Sequence, residues 1–190
     1  MTAGLERRHG QAHFHFITFS CCRRQPHLAD APACEVFERS LERVRTDYGF
    51  TIDAYVTMPE HVHLLVSEPK LATVSVAMQA LKVSVARQLT PRPFWQPRFY
   101  DFNVFTNQKR IEKRRYIHRN PFTRGLVQHP ADWRWSSYRH WAYGEPGNVT
   151  IDSTWTFAET VSADPEQSSP HPTSRHSRGG EPKVCDTEGS

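Results

Sequence analysis

A chain of 190 residues, 37% hydrophobic and 23% charged, has room for one soluble domain with a real core. No apolar run reaches the length of a membrane span, and the polar start from Met1 to Gln11 lacks a signal-peptide core, so a cytoplasmic protein with no membrane partner is expected. Four cysteines, Cys21, Cys22, Cys34 and Cys185, have neither CxxC spacing nor a disulfide framework, which points to reduced, structurally ordinary thiols.

The net charge of +4 hides an uneven distribution. Residues 1–81 carry eight Lys/Arg against nine Asp/Glu, residues 82–140 carry 13 against three, and residues 141–190 carry three against eight. A basic middle third between neutral and acidic flanks is the footprint of a polyanion binder. The aromatics interleaved with those charges favour nucleic acid over a merely solvated basic surface.

Residues 1–12 read as a flexible arm. His13 to Ser20 is aromatic and β-branched, a strand that carries one His-x-His pair, His13 and His15. Gln25 to Pro32 reads as loop, with Pro26 and Pro32 as breakers. Val36, Phe37, Leu41 and Val44 recur at helical spacing over Ala33 to Tyr48, and Gly49 ends that helix. Thr51 to Met58 alternates as a strand, with Ile52, Ala54 and Val56 on one face. After Pro59 the chain turns into Glu60 to Val66, so the two should form an antiparallel hairpin.

Side chains alternate along a strand, so His61 and His63 share one face while Val62, Leu64 and Val66 share the core face. Two imidazoles one pleat apart can grip a divalent cation, although a half-buried strand can carry two histidines with no such purpose. Leu71 to Leu89 is a second helix with Val74, Met78, Leu81, Val85 and Leu89 as its buried stripe and Lys82 and Arg87 elsewhere. Pro91 and Pro93 follow it. Phe99 to Phe105 is the fourth strand. Strand, helix, strand, strand, helix, strand is the α+β ferredoxin-like, or split βαβ, plan: one antiparallel sheet with both helices on one face and the histidines on the other.

Thr106 or Asn107 can cap a third helix from Gln108 to Asn120, closed by Pro121. It is basic and nearly devoid of aliphatics, and it puts Tyr116 and Asn120 on one face. If it packs near the free sheet face, Tyr116 can approach His61 and His63, and the Asn120 amide oxygen can complete a metal site. A tyrosine there could attack a phosphorus held by the metal. His118 should point elsewhere, as a bystander or phosphate contact. Asp132 to Trp141 is an aromatic block, read as stapled onto the core in preference to a base-stacking platform. Residues 146–161 are ambiguous, and residues 162–190, rich in Pro, Ser and Gly, read as a disordered tail.

Four segments in order, MPEHVHLL, WQPRFYD, YIHRNPFTRGLV and DWRWSSY, resemble the single-tyrosine transposases of the His-hydrophobe-His superfamily, and among them the REP-associated tyrosine transposases. The similarity runs from about His13 to Trp141, so residues 13–145 are expected to form the transposase domain. The resemblance implies Tyr116 as nucleophile, His61, His63 and Asn120 as ligands for Mg²⁺ or Mn²⁺, and cleavage and rejoining of single-stranded DNA beside an imperfect hairpin through a 5′-phosphotyrosine. It also implies that Arg98, Lys109, Arg110, Lys113, Arg114, Arg115, Arg119 and Arg124 hold hairpin and flank phosphates, and that the protein is a monomer, although some relatives are dimers. His13 and His15 take structural or DNA-adjacent roles.

A histidine-triad hydrolase would need a histidine where Leu65 stands, and a two-histidine phosphoesterase would need two His-x-Ser/Thr motifs that are absent. The rival from another class is a ferredoxin-like hairpin-binding module or repressor without catalysis.

Overall fold

Strand β1 (Phe14–Ser20) lies inside the sheet, paired antiparallel on one side with β3 (His61–Ser67) and on the other with β4 (Tyr100–Val104). The computed structural model describes residues 13–152, so the expectations for the arm at 1–12 and the tail at 162–190 lie outside the described residues. Strand β2 (Ile52–Thr57) pairs with β3 to complete the order β2-β3-β1-β4. Helices α1 (Ala31–Tyr48) and α2 (Val74–Gln88) follow β1 and β3, which is the ferredoxin-like α+β plan.

Alternation along the strands separates two apolar layers. Ile17, Phe19, Val62, Leu64 and Val66 face α1 and α2, where they meet Phe37, Leu41, Met78 and Leu81 in the larger core. Phe16, Ala54, Val56, Leu65 and Val104 face the other way and meet Ile117 of α3 (Asn107–Thr123). Burying these side chains supplies most of the driving force for the fold.

A helix with one buried isoleucine cannot dock on hydrophobic burial alone. Helix α3 is fixed instead by Asp53, a fully buried carboxylate. Arg110 Nε donates to Asp53 Oδ1 at 2.6 Å, and Arg114 donates through Nε at 2.9 Å and Nη2 at 3.0 Å. The Arg114 guanidinium also lies 3.4 Å from the centre of the Trp141 ring. Asp53 reaches α3 because the β2–β3 register shifts between Ile52 and Ala54. The bulge puts Ile52 in the α1/α2 core and Ala54 and Val56 under α3, so these three residues do not share a face as the alternation had suggested.

Local chemistry moves several helix ends from the expected positions. Helix α1 starts two residues early because Asp30 accepts from the Ala33 N–H at 2.8 Å and Pro32 occupies the first turn, where its missing N–H is no loss. Helix α2 starts late, at Val74, where the Thr73 side chain caps it. Helix α3, expected to close at Pro121, runs through it to Thr123, with the Arg124 N–H returning to the Asn120 carbonyl at 3.0 Å, so Asn120 lies within the helix and is buried. Gly125, at φ 69°, then reverses the chain.

Lys82, expected outside the buried stripe, is buried. Its Nζ donates to the carbonyls of Gln96 at 2.7 Å and Pro97 at 3.0 Å, while Trp95 Nε1 donates to the Lys82 carbonyl at 3.0 Å. Burial lowers the Lys82 ammonium from its ordinary value. These bonds hold the loop that leads into β4.

The aromatic block is stapled along the outer edge of β2. The Thr57 N–H donates to the Trp135 carbonyl at 2.8 Å and the Ser137 N–H to the Tyr55 carbonyl at 3.0 Å, while Trp133 and Trp141 donate their indole N–H groups to the Thr57 and Asp53 carbonyls. This occupies backbone groups that a free edge strand would expose. A short helix α4 (Tyr138–Tyr143) follows. Residues 146–152 continue the cover: Val149 and Ile151 join the α1/α2 core, and Thr150 binds the Glu42 carboxylate through its N–H and hydroxyl, both at 2.9 Å. Among the described residues, no helix is long and apolar enough to cross a membrane.

Candidate functional site

Because β3 alternates, His61 and His63 emerge on the face that carries α3, and their rings converge. Nε2 of one lies 3.0 Å from Nε2 of the other. Outer partners hold both rings. His61 Nδ1 lies 3.1 Å from Glu60 Oε1, and His63 Nδ1 lies 2.7 Å from the Thr18 hydroxyl on the neighbouring strand. Burial raises the Glu60 carboxyl, but its interactions with His61 and Arg124 outweigh that and leave it below the usual carboxylate range. An ionised carboxylate only accepts, so His61 Nδ1 carries the proton and the neutral ring turns a lone pair toward His63.

His63 has two tautomers available. With Nε2–H it donates to His61; with Nδ1–H it donates to Thr18, and two lone pairs then face one point, as a shared cation requires. Both rings are kept neutral. Burial, with help from His61, Lys113 and Arg24, pushes the His63 imidazole down to about 3. Burial also lowers His61, against the opposing pull of Glu60.

Helix α3 brings Asn120 and Tyr116 to the same place. Asn120 Nδ2 lies 3.4 Å from His63 Nε2, and Asn120 Oδ1 is buried without a hydrogen-bond partner. It is thus the amide nitrogen that faces His63; a half-turn of the amide exchanges the two atoms and offers the orphaned oxygen to the imidazole pair as a third cation ligand. Two imidazoles and one amide oxygen suit Mn²⁺ more closely than Mg²⁺, with water or phosphate oxygens for the remaining positions. Among the described residues, no group of three or more His, Cys, Asp or Glu forms an alternative metal site.

The Tyr116 side chain is half-exposed, with its ring centre 5.3 Å from that of His63 and edge-on to it. Tyr116, both histidines, Asn120, Arg119 and Arg24 line one open pocket. Sequence reading missed Arg24, Thr18 and Glu60. Arg23 and Arg24 both adopt left-handed backbone, φ 52° and 53°, which is uncommon for a residue with a Cβ and carries a modest cost. Nothing in CCRRQP gives that conformation away, whereas the Glu-His-Val-His string was a usable hint for Glu60.

The basic residues expected along DNA divide by surroundings. Arg98, Arg115 and Arg119 are exposed, and Arg124 reaches Glu60 at 2.9 Å while staying half-exposed. Lys113 Nζ lies over the Phe16 and Phe102 rings, 4.6 and 5.2 Å from their centres. Lys109 pairs with Glu112 at 2.8 Å. Arg110 and Arg114 turn inward to Asp53, so their guanidinium groups are already engaged by a buried carboxylate. His118, expected as a bystander or phosphate contact, is buried against the Ser137 hydroxyl at 2.9 Å, and burial pushes it down to about 3. His13 and His15 face away from the pocket, and His15 Nδ1 lies 2.9 Å from the Asp101 carboxylate.

The sequence profile of the family described as "Transposase IS200 like" matches residues 9–120, more than half of the chain. The chain belongs to this family. The IS200-like match spans β1 to Asn120 and therefore every residue lining the pocket except Thr123 and Arg124. A REP-associated tyrosine transposase of Escherichia coli K12 is 26% identical over 105 residues, covering 55% of this chain and 64% of that protein. A relative from Haemophilus influenzae is 26% identical over 117 residues, 54% of this chain and 66% of its own length. The chain thus covers slightly less than two thirds of each of these relatives. A solved structure of a REP-associated tyrosine transposase bound to a REP hairpin matches the fold with a TM-score of 0.67 at 22% identity, covering 83% of this chain and 96% of that one.

Proposed function

We propose that this IS200-like protein is a metal-dependent single-stranded DNA transesterase that binds imperfect hairpins and cleaves and rejoins the adjacent strand. The observation that carries the reading is the convergence of two imidazole nitrogens and the Asn120 amide beside a half-exposed tyrosine. His61, His63 and Asn120 would hold Mn²⁺ or Mg²⁺. When bound, such a cation supplies Lewis-acid polarisation of the scissile phosphate.

The chain's own groups do the rest. Tyr116 Oη attacks the phosphorus and forms an O–P bond, and its proton passes to water. The P–O3′ bond breaks, its electron pair stays on the 3′ oxygen, and that oxygen takes up a proton. The product is a 5′-phosphotyrosine, which a 3′-hydroxyl can attack in reverse to rejoin the strand. Arg119 and Arg24, which both line the pocket, are suited to the non-bridging oxygens, and Lys113, Arg98, Arg115 and Arg124 to flanking phosphates. Arg110 and Arg114 act by fixing α3 on Asp53; Lys109 is left to outer phosphates. Asn120 and Tyr116 meet the histidines of their own chain, which favours a monomer as the working unit.

The test uses a labelled DNA hairpin with single-stranded flanks and Mn²⁺. The expected product is a protein–DNA adduct that survives denaturation in the wild type and is absent in Tyr116→Phe. Hairpin binding with no adduct in any divalent metal would leave a binding module without catalysis.

A further inference from the structure

The cross-strand register places one more aromatic in the row of the site. Thr18 stands opposite His63 on one side and opposite Tyr100 on the other. Tyr100, Thr18 and His63 therefore share a face, with Tyr100 about 10 Å from His63 across two strand spacings. The Tyr100 and Tyr116 rings flank the same Phe16 ring, edge-on at 6.4 and 5.8 Å. Lys113 lies over both Phe16 and Phe102, and Phe16 is also stacked on His63, so these rings are already engaged. Tyr100 is different: it is 50% exposed at the outer strand of the sheet.

Resting on the transesterase reading, we propose that Tyr100 is a stacking platform for an unpaired base of the single strand that runs from the phosphate at Tyr116 across the sheet. Three observations select that occupant. The platform is continuous with the candidate site through Phe16. The cations near it, Lys113 over the neighbouring rings and the exposed Arg98 two residues upstream, complement a phosphate backbone. A half-exposed phenol ring on a sheet, bordered by positive charge, matches the way sequence-tolerant single-strand binders hold bases: a π-face for the base and a cationic track for the phosphates. An apolar protein partner would gain nothing from those charges.

The experiment compares the affinity for a short oligo(dT) with that for an abasic strand of the same length, in low salt, by fluorescence anisotropy. The wild type should bind the strand with bases about 10-fold tighter, as one stacked base supplies. Tyr100→Ala should cut that ratio at least about threefold while leaving abasic binding as it was, and Tyr100→Phe should keep it, since stacking needs the ring and not the hydroxyl. Tyr100 lies outside both apolar layers, so neither variant removes core. An unchanged ratio in Tyr100→Ala, or no ratio in the wild type, overturns the platform. Adduct formation in the same preparations reports separately on the transesterase: a platform without an adduct leaves a single-strand binder, and an adduct without a platform leaves the enzyme.

Discussion

Nε2 of His61 and Nε2 of His63 face each other at 3.0 Å, each ring anchored at its other nitrogen by a neighbour of its own. Thr18 and Glu60 hold this geometry in place, so the pair is set before any ligand arrives. Preorganisation of that kind favours a cation that takes both nitrogens without moving them.

Metal binding should therefore stabilise the folded protein. At about 100-fold excess over its dissociation constant, a cation that binds only the native state adds about 2.7 kcal/mol, a rise of several degrees in Tm. Differential scanning fluorimetry should show this with Mn²⁺ and less with Mg²⁺. His63→Ala should lose the shift, and Asn120→Ala should reduce it. An equal shift in wild type and His63→Ala would place the metal elsewhere.

The Asp53 carboxylate and the two arginines it accepts from make a second, structural prediction. Removing one partner of a buried ion pair costs about 3 kcal/mol or more, because the remaining charge is left uncompensated. Asp53→Ala should thus lower the urea midpoint sharply and loosen α3, so that amides from Ile111 to Ile117 exchange faster. Arg110→Ala should cost less, since Arg114 still covers the carboxylate. No change in either midpoint or exchange would mean that α3 docks by other means.

His118 predicts a pH dependence. An unfolded imidazole takes a proton below about 6.5, whereas burial holds the folded one down to about 3. Between those values the unfolded state binds the extra proton, so the His118 contribution is complete above about pH 6.5 and is lost as pH falls toward 3. The slope approaches about 1.4 kcal/mol per pH unit. Other buried histidines add to it, so the measurement is a difference: His118→Gln, which can still donate to Ser137, should show a shallower fall in stability between pH 7 and pH 5 than the wild type. Parallel curves would contradict a neutral buried His118.

Much of the site was legible because it rests on short periods. Alternation alone puts His61 and His63 together, and the helical repeat puts Tyr116 and Asn120 together; the basic helix and the strand order followed from the same patterns. What escaped depends on partners distant in sequence. Asp53 is one residue in an ordinary strand pattern until the bulge turns it under α3. Lys82 is buried because carbonyls of Gln96 and Pro97 fold back over it, and a lysine on a helix gives no sign of that. Arg110 and Arg114 look like their exposed neighbours until Asp53 is seen to bind them. Residues 146–152 carry only two core side chains, Val149 and Ile151, too few for a periodicity.

The central claim is that the Tyr116 oxygen becomes joined to DNA, and peptide mapping of the adduct tests it most directly. Wild-type protein is incubated with the hairpin strand and Mn²⁺, the DNA is trimmed by nuclease, the protein is digested, and the nucleotide-bearing peptide is sequenced by mass spectrometry. The account predicts a mass addition on Tyr116 alone, through a 5′-phosphate. A nucleotide on any other residue, or an adduct that persists in Tyr116→Phe, would contradict it.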